Sequence, residues 1–186
     1  GSRGNHQLGT AASRLMEGEY HNLVLFERID ETALGIPRAK ALCAAIHRYR
    51  DSRLVDVMRT REATPGYREA LVFELDCEQV PSQNAAGIGY RERLALVISR
   101  DETDIPEAVP LRKTFPELMH RNRGLPGHLP SLCLYYGPKP AVLRTWTPQS
   151  HLRRIQWWLE ASARGELHPA DQPVEHAGRR VGTPCP

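Results

Sequence analysis

The chain has 186 residues, 40% of them apolar and 25% charged, with a formal net charge of +3. That suits one domain with its own core and flexible ends; the charge is too small and too scattered for a nucleic-acid stripe, and no apolar run reaches the roughly eighteen residues of a membrane span. The first residues show no secretion pattern and the cysteines form no C-x-x-C pair, so Cys43, Cys77, Cys133 and Cys185 are expected as reduced thiols of a cytoplasmic protein without cofactor or metal.

Gly1-Ser2 looks like the remnant of an expression tag, and the chain is compatible with being part of a longer protein. Residues 6–20 are a helix candidate broken by Gly9 and Gly18, and residues 23–30 are apolar enough to be buried but show no clear period. Pro37 opens a better helix, because a first helical turn loses nothing from a missing N–H. Along it Ala39, Leu42, Ile46 and Tyr49 recur at three- and four-residue steps, and Arg48 and Arg50 suit the negative end of the helix dipole. Residues 53–62 alternate loosely, and residues 68–80 and 91–100 alternate as strands. In the second of these segments Leu71, Phe73, Leu75 and Cys77 share a face. Thr64-Pro65-Gly66 is a turn and residues 81–89 are a loop.

Pro106, Pro110 and Pro116 make residues 101–130 mostly irregular, with room for one edge strand. Ser131 to Tyr136 form a short apolar segment between His128-Leu129-Pro130 and Gly137-Pro138. Thr147 then caps, and Pro148 opens, a last helix with Leu152, Ile155 and Leu159 on its apolar face, ended by Gly165. Trp157 and Trp158 are adjacent, so one of them is expected to face outward. The expected domains are an N-terminal extension over 1–22, an α+β domain over 23–165 and a linker or disordered tail over 166–186. The α+β domain is expected to be a four-stranded antiparallel meander with an N-terminal and a C-terminal helix packed on it.

The cysteines differ in setting. Cys43 beside a helical apolar face and Cys77 on a strand's buried face read as small buried hydrophobes, and Cys185, between prolines, reads as incidental. Cys133 lies outside the meander after a His-Leu-Pro turn, where catalytic residues concentrate, although an ordinary strand thiol fits the same pattern. His120 and His128 lie upstream and are candidates to activate it. There is no glycine-rich phosphate loop, no H-E-x-x-H and no G-x-S-x-G.

Ser131-Leu132-Cys133-Leu134, followed by Trp146-Thr147-Pro148 at the start of a helix, resembles the active-site region of ubiquitin-conjugating enzymes. The order of a helix, a strand meander and a proline-punctuated stretch agrees with that family over roughly residues 36–165. The His-Pro-Asn motif of eukaryotic members is replaced by His120-Arg121-Asn122, and His128-Leu129-Pro130 is a second partial match. The longer interval from Cys133 to Trp146 resembles divergent bacterial relatives linked to antiphage defence, and residues 164–175 look like the end of such domains.

The resemblance implies a conjugating enzyme that accepts a ubiquitin-like modifier on Cys133 as a thioester from a ubiquitin-activating-like adenylating enzyme. It then transfers the modifier to an amine or hydroxyl of a target protein. Asn122 is the implied oxyanion donor, and His128, Tyr135 or Tyr136 would orient or deprotonate the incoming nucleophile. Trp146 is read as fixing the start of the last helix. The first helix, with Arg38, Lys40, His47 and Arg50 on its outer face, is the implied docking surface for the activating enzyme. Two other readings stay open: an inactive binding module of the same fold, and a cysteine hydrolase pairing Cys133 with a histidine, His151 and His168 included.

Overall fold

Alternating apolar residues through the middle of the chain need a sheet with an apolar face to cover, and the computed structural model, which describes residues 18–118, 121–122 and 128–167, contains one. Strands β1 (Phe26–Arg28), β2 (Ser52–Thr60), β3 (Arg68–Asp76), β4 (Arg91–Ser99) and β5 (Glu107–Pro110) form a five-stranded sheet. It is antiparallel throughout, in sequence order. Helix α1 (Pro37–Arg48) precedes β2. A small second sheet of β6 (Arg121–Asn122) and β7 (Ser131–Leu132) leads into α2 (Lys139–Thr145) and α3 (Pro148–Ala163).

Helices α1 and α3 cover one face of the large sheet. Leu42 and Ile46 of α1, with Leu152, Ile155, Trp158 and Leu159 of α3, pack in one apolar cluster with Leu71, Phe73 and Leu75 of β3 and Leu94, Leu96 and Ile98 of β4. Trp158 is fully buried while Trp157 is 36% exposed, as two adjacent helical tryptophans must be. The opposite face holds Val72, Ala95, Val109 and Leu111, with Tyr20, Leu23 and Leu129 against them. There Glu74 is paired with Arg53 and Arg93, and the Arg93 guanidinium lies 4.0 Å over the Tyr20 ring.

Two buried carboxylates fasten the sheet to its surroundings. Glu69 of β3 accepts from the backbone N–H groups of Gly35 (2.6 Å) and Ile36 (3.0 Å) and from the Tyr67 hydroxyl (2.8 Å). It supplies what the N-cap Ile36 lacks, a side-chain acceptor at the start of α1. Glu92 accepts from Gly89 N–H at 2.7 Å and from two nitrogens of Arg112 at 2.6 and 3.0 Å.

Helix α3 is capped at both ends. Thr147 Oγ1 accepts from Ser150 N–H at 3.0 Å, and Ser150 Oγ accepts from Thr147 N–H at 2.9 Å, a reciprocal capping box. At the other end Gly165 adopts φ 70. Gly165 N–H bonds Ser162 O and Glu166 N–H bonds Ala161 O, a Schellman closure that a residue with a Cβ would strain. Thr147→Ala should cost about 1 kcal/mol, read as a lower urea midpoint with unchanged slope.

The structure departs from the sequence expectations in particular places. The sheet has five strands rather than four, because residues 23–30 contribute β1, which pairs with β2 through Phe26↔Thr60. Three residues are too few to show alternation. β2 alternates loosely because its register shifts between Leu54 and Asp56, and a bulge breaks the two-residue period. Helix α2 was not expected: it has no buried residue, so it leaves no apolar period to read. The expected helix over 6–20 does not extend to its end, where Tyr20 instead bridges Arg112. Residues 6–17 of that segment, and the tail from 168, lie outside the described residues. Among the described residues no helix is long and apolar enough to cross a membrane.

Candidate functional site

Strand β7 carries the cysteine segment to the outer edge of the fold, beside β5. Leu132 and Leu134 both point into the main core. Cys133, between them, is not part of that core cluster and lines a cavity of about 330 Å³, which Leu132 and Leu134 also border. The residue is only 6% exposed, so the sulfur lies on a cavity wall rather than on open surface. Ile105, Pro106 and Glu107 from the start of β5 form one side, and Tyr135, Gly137 and Lys139 another.

Antiparallel pairing of Asn122 with Ser131 brings Asn122 to the same cavity as Cys133. The Asn122 amide donates to Ser131 Oγ at 3.4 Å, long for a hydrogen bond. Thus Asn122, Cys133 and Tyr135, all selected from sequence, line one cavity. His128 is exposed and does not line it, and Tyr136 is half-buried outside it. His120, His168 and Cys185 lie outside the described residues.

Cys43 and Cys77 are free thiols sealed in the core. Burial, followed by the neighbouring Glu31, pushes the Cys43 thiol up to about 12, and burial pushes Cys77 higher still. Cys133 is disulfide-bonded, which corrects the expectation of reduced thiols throughout. A sulfur on a cavity wall can meet another thiol, and one packed in the core cannot. Acyl chemistry at Cys133 therefore belongs to the reduced chain.

Behind the cavity wall an aromatic cluster surrounds the buried His151. The Tyr135 ring stacks on His151 with centroids 5.7 Å apart, and its hydroxyl oxygen is 2.7 Å from His151 Nδ1. Trp146 tilts against the same imidazole at 5.5 Å, and the Arg38 guanidinium lies 5.1 Å over Trp146. Burial pushes the Tyr135 hydroxyl up to about 12 and the His151 imidazolium down to about 3. Both groups are therefore neutral near pH 7, and the pair orients the ring rather than moving protons. Arg154 Nε donates to Leu134 O at 2.7 Å and so holds the chain one residue past the cysteine.

Arg38 also donates to the carbonyls of Asp104 (2.5 Å) and Glu102 (2.6 Å). It clamps the loop before β5, which revises its expected place on a docking face. His151 entered the sequence reading only as a hydrolase base. Its spacing to Ile155 and Trp158, four and seven residues on, already marked a core position on α3.

A buried neutral histidine has a pH signature. The folded chain resists protonating His151, whereas the unfolded chain takes the proton below the ordinary value of 6.5. Its contribution is fully present above about pH 6.5 and is lost as pH falls, by up to about 1.4 kcal/mol per unit. Urea midpoints measured from about pH 7 down to about pH 4 should fall more steeply for the natural chain than for His151→Gln. Equal slopes would show that the imidazole is not held neutral.

Comparison with known proteins gives one family match: a model described as prokaryotic E2 family A matches residues 38–181. No curated protein and no solved structure gives a match.

Proposed function

Because the chain belongs to the prokaryotic E2 family A, bacterial domains resembling ubiquitin-conjugating enzymes, we propose that reduced Cys133 carries a ubiquitin-like modifier as a thioester. The observation that carries this reading is the location of Cys133: it lines a cavity together with Asn122, whereas Cys43 and Cys77 are packed in the main core. The thiolate attacks the thioester carbonyl on an adenylating activating enzyme. The new S–C bond forms at Cys133, the old one breaks, and the activating enzyme's sulfur leaves as its thiolate. One thioester replaces another, so little energy is needed beyond positioning and exclusion of water.

In the second step an amine or hydroxyl of the target attacks the same carbonyl. Negative charge collects on its oxygen, the proton of the attacking group passes to solvent, and Cys133 leaves as the thiolate once the intermediate collapses. The Asn122 amide is proposed as the donor to that oxygen. Its bond to Ser131 Oγ is long, and a negatively charged oxygen is a stronger acceptor than a hydroxyl. Tyr135 is proposed as a wall for the modifier's C-terminal residues, held in place by His151. Among the described histidines none lines the cavity, which weighs against the hydrolase reading. We place the reaction in the cytoplasm of a bacterium, in a conjugation system of antiphage type. If deleting the chain leaves phage plating unchanged, that placement fails.

The test is charging. After reduction, the protein is mixed with the activating enzyme, the modifier and ATP. An adduct that thiol reductant removes is expected. A binding module would hold the modifier without forming the adduct, and that outcome would overturn the catalytic reading.

A further inference from the structure

The 3-10 turn Glu31–Ala33 precedes α1 and brings Glu31 over two residues one helical turn apart, Cys43 and His47. Among the described residues these three form the one group of potential metal ligands whose donor atoms all lie within 4.8 Å of one another. We propose that Glu31, Cys43 and His47 form a binding site for a divalent transition-metal ion of the zinc class.

The chemistry of the set favours that class. Sulfur, imidazole nitrogen and carboxylate oxygen are the three donor types that zinc accepts, and a magnesium or calcium ion would want oxygen alone. The geometry is close to what is needed. His47 Nε2 is 2.9 and 3.0 Å from the two Glu31 oxygens. Donors around a tetrahedral zinc ion sit roughly 3.4–3.7 Å apart, given the usual bond lengths. The His47–Glu31 separations are shorter than that range and no separation exceeds 4.8 Å, so the site calls for rotamer adjustments of the exposed Glu31 and His47. Cys43, two per cent exposed, is the fixed point of the site.

Stability does not explain the cluster. Glu31 and His47 are each about half exposed, and such pairs add little. Without metal, burial and the neighbouring Glu31 carboxylate keep the proton on the Cys43 sulfur. Binding replaces that proton: the metal–sulfur bond forms, the S–H bond breaks and one proton goes to solvent. His47 must place its remaining proton on Nδ1, leaving Nε2 to coordinate. Three protein ligands leave a fourth position for water, or for a group from a partner docking on α1.

The probe is cobalt(II), added to the full reduced chain carrying Cys133→Ala and Cys185→Ser, so that Cys43 and the buried Cys77 are the remaining thiols. The expected result is one bound ion per chain, a thiolate-to-metal charge-transfer band, and displacement by zinc. Cys43→Ser should abolish the band, and His47→Gln should weaken binding at least about tenfold. His47 is exposed, so its substitution leaves the fold intact even if Cys43→Ser does not. No thiolate band, or cobalt affinity unchanged in His47→Gln, would overturn the proposal.

Discussion

Cys133→Ala is expected to reduce the modifier adduct to background, and Cys133→Ser to leave, at most, an ester that thiol reductant does not cleave. The expectation follows from where the cysteines sit. Cys43 and Cys77 are 2% and 0% exposed, and burial holds both thiols far above neutral pH. Neither presents a thiolate to a partner protein, and the thiolate is the nucleophile. Cys133 is the described cysteine that borders a cavity. Compared in the reduced state, where no disulfide is lost, the substitution should not unfold the chain, since it deletes one atom beside a cavity and leaves Leu132 and Leu134 seated in the core. An unchanged urea midpoint would confirm that. An adduct of undiminished yield and reductant sensitivity in Cys133→Ala would move the nucleophile to another residue.

Asn122→Ala should leave charging close to that of the natural chain and slow discharge to an amine by ~10²–10³, the usual cost of one oxyanion donor. The asymmetry between the steps is the informative part. Thioester exchange is nearly balanced, whereas attack by an amine builds a longer-lived charge that needs a hydrogen-bond donor. Asn122 holds its place in the small sheet through backbone pairing with Ser131, so truncating its side chain does not move the strand. Its amide bond to Ser131 Oγ, at 3.4 Å, contributes little stability. Loss of charging and discharge in equal proportion would assign Asn122 a structural role instead. Discharge at the natural rate would move the donor to backbone N–H groups near Cys133.

Much of the framework was legible in the chain. Pro37, the stripe through Leu42 and Ile46, the shared face of Leu71, Phe73 and Leu75, and the Thr147-Pro148 start of α3 all lie where their periods and caps placed them. Pro106 and Pro110 flank a single edge strand, as proline's missing donor requires. Cys133 stood out by its setting outside the meander and then by resemblance, Asn122 and Tyr135 by resemblance alone, and the fold brings these three to one cavity. β1 and α2 were missed because one is too short and the other too exposed to leave a pattern.

The sequence by itself determined which residues face the core, because burial recurs with the period of a strand or helix and that period is written along neighbouring residues. Only the tertiary structure decided what meets across the fold: Asn122 beside Ser131, Arg38 on the loop before β5, His151 under Tyr135, and Glu31 over Cys43 and His47. Those meetings join residues from different elements, and no local period records them. They depend on how the elements close around a shared core, so the exposure of Cys133 could be read only after that closure was known.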